Sequence, residues 1–134
     1  MESLQISESN YQRILTQLLG LHPLEGCGLM AGRNGVVQSI YQVTNRLNSP
    51  VAFEMDPSEQ LAAMLDIEDR GLEFLAIYHS HPHGPATLSS VDIKTNYYPE
   101  TVQVIVSWSD PNHATTRAFR IHGGEVSEVP FQIR

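Results

Sequence analysis

The sequence predicts an α/β fold, a mixed β-sheet flanked by helices in one domain spanning residues 1–134. Helical and strand patterns follow one another in the order α, β, β, α, β, α, β, β, which demands helices packed on a sheet. The run Phe74-Leu75-Ala76-Ile77-Tyr78 is nearly all apolar, as in a central strand covered on both faces. No internal repeat and no long linker divides the chain, and 134 residues suffice for one buried core.

The first helix is predicted to start at Ser7, a capping residue, with Ile6 and Tyr11 as a hydrophobic staple. Ile14, Leu15, Leu18 and Leu19 form its apolar stripe, and Gly20 and Pro23 end it. Leu24 to Ala31 and Val36 to Val43 read as a hairpin around the turn Gly32-Arg33-Asn34-Gly35. Val51 to Met55 reads as a short strand. Asp56-Pro57-Ser58-Glu59 is a helix start, with an N-cap, a proline in the first turn and an acid at the third position. Leu61, Met64 and Leu65 are assigned to that helix's buried face. After the central strand, Gly84-Pro85 makes a loop, Ser89 begins a short helix, and Thr101 to Trp108 and Thr115 to Ile121 read as strands. Gly123-Gly124 turns the chain into a last strand, Val126 to Ile133.

Composition narrows the function. With 41% hydrophobic residues and no apolar run of membrane-spanning length, a membrane role is not expected. The net charge of −7, with only 8 lysines and arginines, supplies no basic stripe for phosphates and argues against nucleic acid. Cys27 is the only cysteine, which rules out an intramolecular disulfide and a cysteine-rich zinc site. The start Met1-Glu2-Ser3-Leu4-Gln5 has an acid where a secretory signal carries basic residues, so a cytoplasmic location is expected. Nothing in the sequence fixes the oligomeric state.

The chemistry gathers in His79-Ser80-His81-Pro82-His83-Gly84-Pro85-Ala86-Thr87-Leu88-Ser89-Ser90-Val91-Asp92. On a strand, His79 and His81 project to one face while Ser80 points away. The ten residues before Asp92 let the chain turn and bring the first turn of a helix back beside the imidazoles. Two histidines and one carboxylate are three ligands, the number that leaves the fourth tetrahedral position of a catalytic zinc open for water. Taken singly, Ser89 and Asp92 are also a capping box and His-Pro-His-Gly a polar loop. Taken together, the strand placement, the spacing and the downstream acid favour one zinc per chain. His83 follows a proline in the loop, where the strand does not fix its direction. His22, His113 and His122 lie beside turn signals and are expected to be solvated, and Cys27 to be a small buried thiol.

A water activated at such a metal needs a carboxylate that is not itself a ligand. Glu54, Glu59, Glu68, Glu73 and Glu100 are available, but Glu25 stands out. It is the one charge in the small, apolar stretch Leu24-Glu25-Gly26-Cys27-Gly28-Leu29, where a charge is costly unless used or paired.

These residues resemble the JAMM/MPN+ family of zinc metallopeptidases, whose pattern is an upstream glutamate, His-x-His-Pro and a later Ser-x-x-Asp. His79, His81 and Asp92 match the zinc ligands, Glu25 the general acid/base, and Ser89 the serine that helps hold the reacting oxygen. Pro82, Pro85 and Ala86 also match, and Glu25-Gly26-Cys27-Gly28-Leu29 is similar to the compact bacterial and archaeal branch. Leu88 departs from the proline often found there. The resemblance implies a deaminase-like α/β sandwich, a zinc ion with a bound water as fourth ligand, and hydrolysis of an amide at the C-terminal glycine of a ubiquitin-like or sulfur-carrier protein. Two rivals remain: a non-catalytic scaffold of the same fold, which would typically lack ligands, and a zinc deaminase, which would need cysteines beyond Cys27.

Overall fold

In a computed structural model, which describes residues 2–134, the chain forms an eight-stranded mixed sheet and three helices. The elements are β1 (Leu4–Ile6), α1 (Glu8–Leu21), β2 (Cys27–Arg33), β3 (Val36–Val43), α2 (Pro57–Asp69), β4 (Glu73–His81), α3 (Ser90–Lys94), β5 (Val102–Asp110), β6 (His113–His122), β7 (Glu125–Val129) and β8 (Phe131–Ile133). The sheet order is β7-β6-β5-β4-β2-β3-β1-β8. β4 and β5 pair in parallel through a crossover that carries α3, whereas β2 pairs antiparallel with both β3 and β4.

Only Pro130 separates β7 from β8, yet these strands are the two ends of the sheet. The sheet must therefore curl until its edges meet, and α1 fills the inside of the curl. Tyr11, Ile14 and Leu18 of α1 are buried in one cluster with Leu4, Ile6, Met30, Tyr78, Val104, Ala118 and Val129, drawn from both ends and the middle of the sheet. On the outer face, Cys27, Leu29, Ala31, Val43 and Ile77 pack against Ala63 and Ile67 of α2. The last strand predicted from sequence is thus two. Proline lacks the donor that a continuing ladder needs, and Pro130 instead uses its carbonyl to accept from the Leu4 N–H at 2.9 Å.

Other differences follow from pairing and packing. β1 is too short to show a period, and its identity depends on distant partners in β3 and β8. The hairpin turns on Asn34-Gly35 alone, with φ of 53° and 76°, the left-handed pair that suits a two-residue connection. Val51–Met55 makes only an isolated bridge, Asn45 to Met55. In α2, Leu61 and Leu65 are 59% and 56% exposed while Ala63 and Ile67 are buried. Met64 packs against the outer cluster as predicted, but apolar residues surround that helix, and the sheet takes Ala63 and Ile67 in place of Leu61 and Leu65. Leu19 of α1 is likewise exposed. Among the described residues no helix is long and apolar enough to cross a membrane.

Candidate active site

His79 and His81 close β4 and point to the α2 side of the sheet, alternating with Ser80 as the strand period requires. Ser89 caps α3: its Oγ accepts the Asp92 N–H at 3.0 Å, and the Asp92 carboxylate accepts the Ser89 N–H at 2.9 Å. That capping box turns Asp92 toward the strand end. Its Oδ1 lies 3.2 Å from His79 Nε2 and its Oδ2 lies 3.0 Å from His81 Nε2, while the two Nε2 atoms are 3.1 Å apart. Capping and convergence on the imidazoles are therefore compatible in one carboxylate. Among the described residues this is the one group of three such donors, all within 4.8 Å of one another.

The donor set suits a metal ion. Donors arranged tetrahedrally at zinc bond lengths of 2.0–2.1 Å would lie about 3.3 Å apart, close to the 3.1 Å between the two Nε2 atoms and to the distance from each to the nearer Asp92 oxygen. His81 Nδ1 donates to the Pro85 carbonyl at 2.8 Å, which leaves the lone pair on Nε2 facing the other donors. His79 is fully buried and stacks on Phe53, with ring centroids 4.5 Å apart. Burial holds its imidazole neutral, outweighing Asp92. Burial also works against the Asp92 carboxylate, but hydrogen bonds from His79 and His81 outweigh it and keep its pKa well below the ordinary range.

Glu25 was expected in a strand and lies two residues before one. There the chain still has free backbone groups, and both of Glu25's are taken. Its N–H donates to the Ser49 carbonyl at 2.8 Å, and its carbonyl accepts from Asn45 Nδ2 at 3.0 Å. Gly26 is fastened to β4, its N–H donating to Ser80 Oγ at 2.8 Å and its carbonyl accepting from the Ser80 N–H at 3.0 Å. The Glu25 side chain is 4% exposed and its Oε1 has no hydrogen-bond partner. Burial pushes its pKa up to about 7, with His81 pulling it down and Asp92 pushing it up. A buried carboxyl titrating near neutrality, within electrostatic reach of His81 and Asp92, is a group suited to moving a proton.

The remaining histidines stay outside this cluster. His83 is exposed and packs edge-on against His22, at 5.0 Å between centroids, and His113 and His122 are exposed. Cys27 is buried, its Sγ donating to the Val43 carbonyl at 3.4 Å, and burial pushes its thiol up to about 12, which makes it inert. Sequence reasoning missed Phe53, Asn45 and the Pro85 carbonyl. An aromatic between two loop stretches hinted at Phe53; nothing local marks Asn45 or a backbone oxygen.

Comparison with known proteins agrees with this geometry. The model of the family described as prokaryotic homologs of the JAB domain matches residues 7–122. The chain belongs to that family. It is 35% identical over 114 residues to the CysO-cysteine peptidase of Mycobacterium tuberculosis, covering 84% of this chain and 78% of the relative. It is 47% identical over 78 residues to the probable TtuB-protein conjugate cleaving protease of Thermus thermophilus, covering 58% of this chain and 52% of the relative. The solution structure of a protein from Desulfitobacterium hafniense superposes with a TM-score of 0.88 at 30% identity, covering 98% of this chain and 92% of that one. JAB-family membership makes a metal-dependent site of His79, His81 and Asp92 the expected arrangement, and the three donors meet as that requires.

Proposed function

We propose that this JAB-family protein is a zinc-dependent isopeptidase, acting in the cytoplasm as one catalytic domain over residues 1–134. Its substrate is the amide that joins the C-terminal glycine of a ubiquitin-like or sulfur-carrier protein to its adduct. The observation that carries this reading is the His79, His81 and Asp92 donor group with the buried Glu25 carboxyl, whose Oε1 is unpartnered, in electrostatic reach of His81 and Asp92. In this reading the three residues hold one zinc ion. When bound, the zinc would supply Lewis acidity, lowering the pKa of the attacking water to roughly 7 and polarising the scissile carbonyl.

The chain's own groups do the rest. Glu25 accepts the proton of the attacking water as oxygen adds to the amide carbon. As the C–N bond breaks, the same proton goes from Glu25 to the leaving amine, and the water's second proton stays on the new carboxyl group until it ionises, so that the products are the carrier's carboxylate and the protonated amine. Ser89 Oγ already accepts from the Asp92 N–H, which leaves its own proton for the developing oxyanion. The Pro85 carbonyl keeps His81 in the tautomer that presents Nε2.

A groove of about 380 Å³ runs beside the donors between the 47–57 segment and the 91–98 segment, lined by Phe53, His79 and Asp92 among others. Its rims carry Leu47, Val91 and Tyr97, at 45%, 48% and 78% exposure. Such exposed apolar side chains flanking a narrow groove suit an extended tail with an apolar residue upstream of its small terminal glycine. The names of the mycobacterial and Thermus relatives, a CysO-cysteine peptidase and a TtuB-protein conjugate cleaving protease, support the same substrate class.

The test is cleavage of a ubiquitin-like carrier bearing a lysine or cysteine adduct on its C-terminal glycine, compared with unstructured peptides. The tail adducts should be cut and the peptides should not. Equal cleavage of random peptides would contradict the substrate assignment. Full turnover by folded, zinc-loaded Glu25→Gln would contradict the base.

A further inference from the structure

We infer that Asn45 is a positioning residue for the reaction: its side-chain amide locks the base-bearing segment to the loop that forms one groove wall. The inference rests on the reading of Glu25 as the base. Asn45 is 7% exposed, and its amide spends its whole hydrogen-bonding capacity. Nδ2 donates to the Glu25 carbonyl at 3.0 Å and to the Ala52 carbonyl at 3.1 Å, and Oδ1 accepts the Leu47 N–H at 3.1 Å and the Glu54 N–H at 3.0 Å. One planar group thus ties together the base, the loop either side of Val51, and the residues flanking Phe53, whose ring lies on His79.

Glu25 has few other restraints. It sits outside any strand, and its side-chain Oε1 is unpartnered. Its two backbone groups are both held by the 45–49 segment, through Asn45 Nδ2 and the Ser49 carbonyl. The neighbouring Gly26 is held to β4 by Ser80, which fixes the axis about which the Glu25 residue can swing but not its rotation. Asn45 stops that rotation at the carbonyl end, together with the Ser49 carbonyl at the N–H. A misplaced base of this kind loses rate rather than affinity.

The groove wall and the base therefore move as a unit. Loss of the donor arm of Asn45 should free Glu25 while leaving the Leu47 and Glu54 N–H groups an acceptor. Asn45→Asp is that change, and Arg46→Ala is its control, since it removes the exposed 2.7 Å pair with Glu54 in the same loop and leaves the Glu25 tie intact.

The experiment combines amide hydrogen exchange with steady-state kinetics on a carrier-tail adduct, using full-length zinc-loaded protein. Asn45→Asp should exchange its Glu25 amide about tenfold faster or more, and lower kcat by about ten- to a hundredfold with KM within about threefold. Arg46→Ala should match wild type in both. In the Glu25→Gln background, Asn45→Asp should lower the residual rate no further, because it acts through the group already disabled. An additive loss in that double variant would make Asn45 merely structural and overturn the inference, as would faster exchange with unchanged kcat. If wild type cleaves no tail adduct, the substrate reading fails by itself, and exchange at Glu25 still decides the tie. Should Asn45→Asp not fold, wild-type exchange decides: the Glu25, Leu47 and Glu54 amides should open together, within about tenfold of one another, and Glu25 protection more than about a hundredfold above the other two would refute the coupling.

Discussion

Glu25→Gln should stabilise the metal-free protein, and the advantage should appear only as the pH rises. Burial raises the folded pKa of Glu25 from the ordinary glutamate value near 4.5 to about 7. At low pH the carboxyl is protonated both folded and unfolded, so wild type and variant differ by an amount that does not depend on pH. Between about pH 4.5 and 7 the unfolded chain ionises Glu25 freely while the folded one resists, and wild type loses stability until the folded pKa is passed. The full loss is about 3 kcal/mol, from roughly 1.4 kcal/mol for each tenfold change in the ionisation constant. For a chain of this length that is a melting-temperature gap of about 10 °C. Asp92, whose folded pKa is depressed, contributes stability present above the ordinary aspartate range and lost on acidification. The assay is thermal unfolding in excess chelator from pH 4 to pH 8. Wild-type and Glu25→Gln curves that stay parallel across this range would refute the claim that burial governs this carboxyl. Added zinc should narrow the gap, because a nearby cation favours the ionised form.

Ser89→Ala should cost about 1 kcal/mol of stability in denaturant unfolding, by leaving the Asp92 N–H uncapped. It should also slow turnover on the order of a hundredfold by removing an oxyanion donor. Gly28→Ala should destabilise by about 3 kcal/mol or prevent folding, since a Cβ there would overlap the Tyr78 hydroxyl and the Tyr41 carbonyl; circular dichroism of the purified variant reads this directly. The rate of adduct cleavage should fall on the acid side with an apparent pKa at or below about 7, because protonated Glu25 cannot accept the water's proton and a bound cation can only lower its titration. A rate that does not fall on acidification, or an acid-side titration well above pH 7, would contradict that role.

The site was legible where chemistry follows the chain locally. His79 and His81 alternate on a strand and Ser89-x-x-Asp92 is a helix-start pattern, so the spacing alone predicted three donors that meet in space. Glu25 was legible as a lone charge in an apolar stretch, although its position outside β2 was not. The fold class and most elements followed from apolar period and turn residues. What escaped depends on distant partners: β1 and β8 exist because they pair with each other, and the outward Leu61 and Leu65 depend on which face of α2 the sheet has room for. Asn45 escaped for the same reason. Its role is a set of four contacts, reaching back as far as Glu25 across 20 positions of chain.

The most direct test of the account is elemental analysis joined to turnover on one set of preparations: wild type, His81→Ala, Asp92→Ala and Glu25→Gln. One zinc per chain is expected in wild type and in Glu25→Gln, and none in the two ligand variants, with adduct cleavage at full rate in wild type alone and only a small residual rate in Glu25→Gln. Full zinc in His81→Ala and Asp92→Ala, or cleavage by a zinc-free variant at the wild-type rate, would contradict a metal-dependent hydrolase built on these residues.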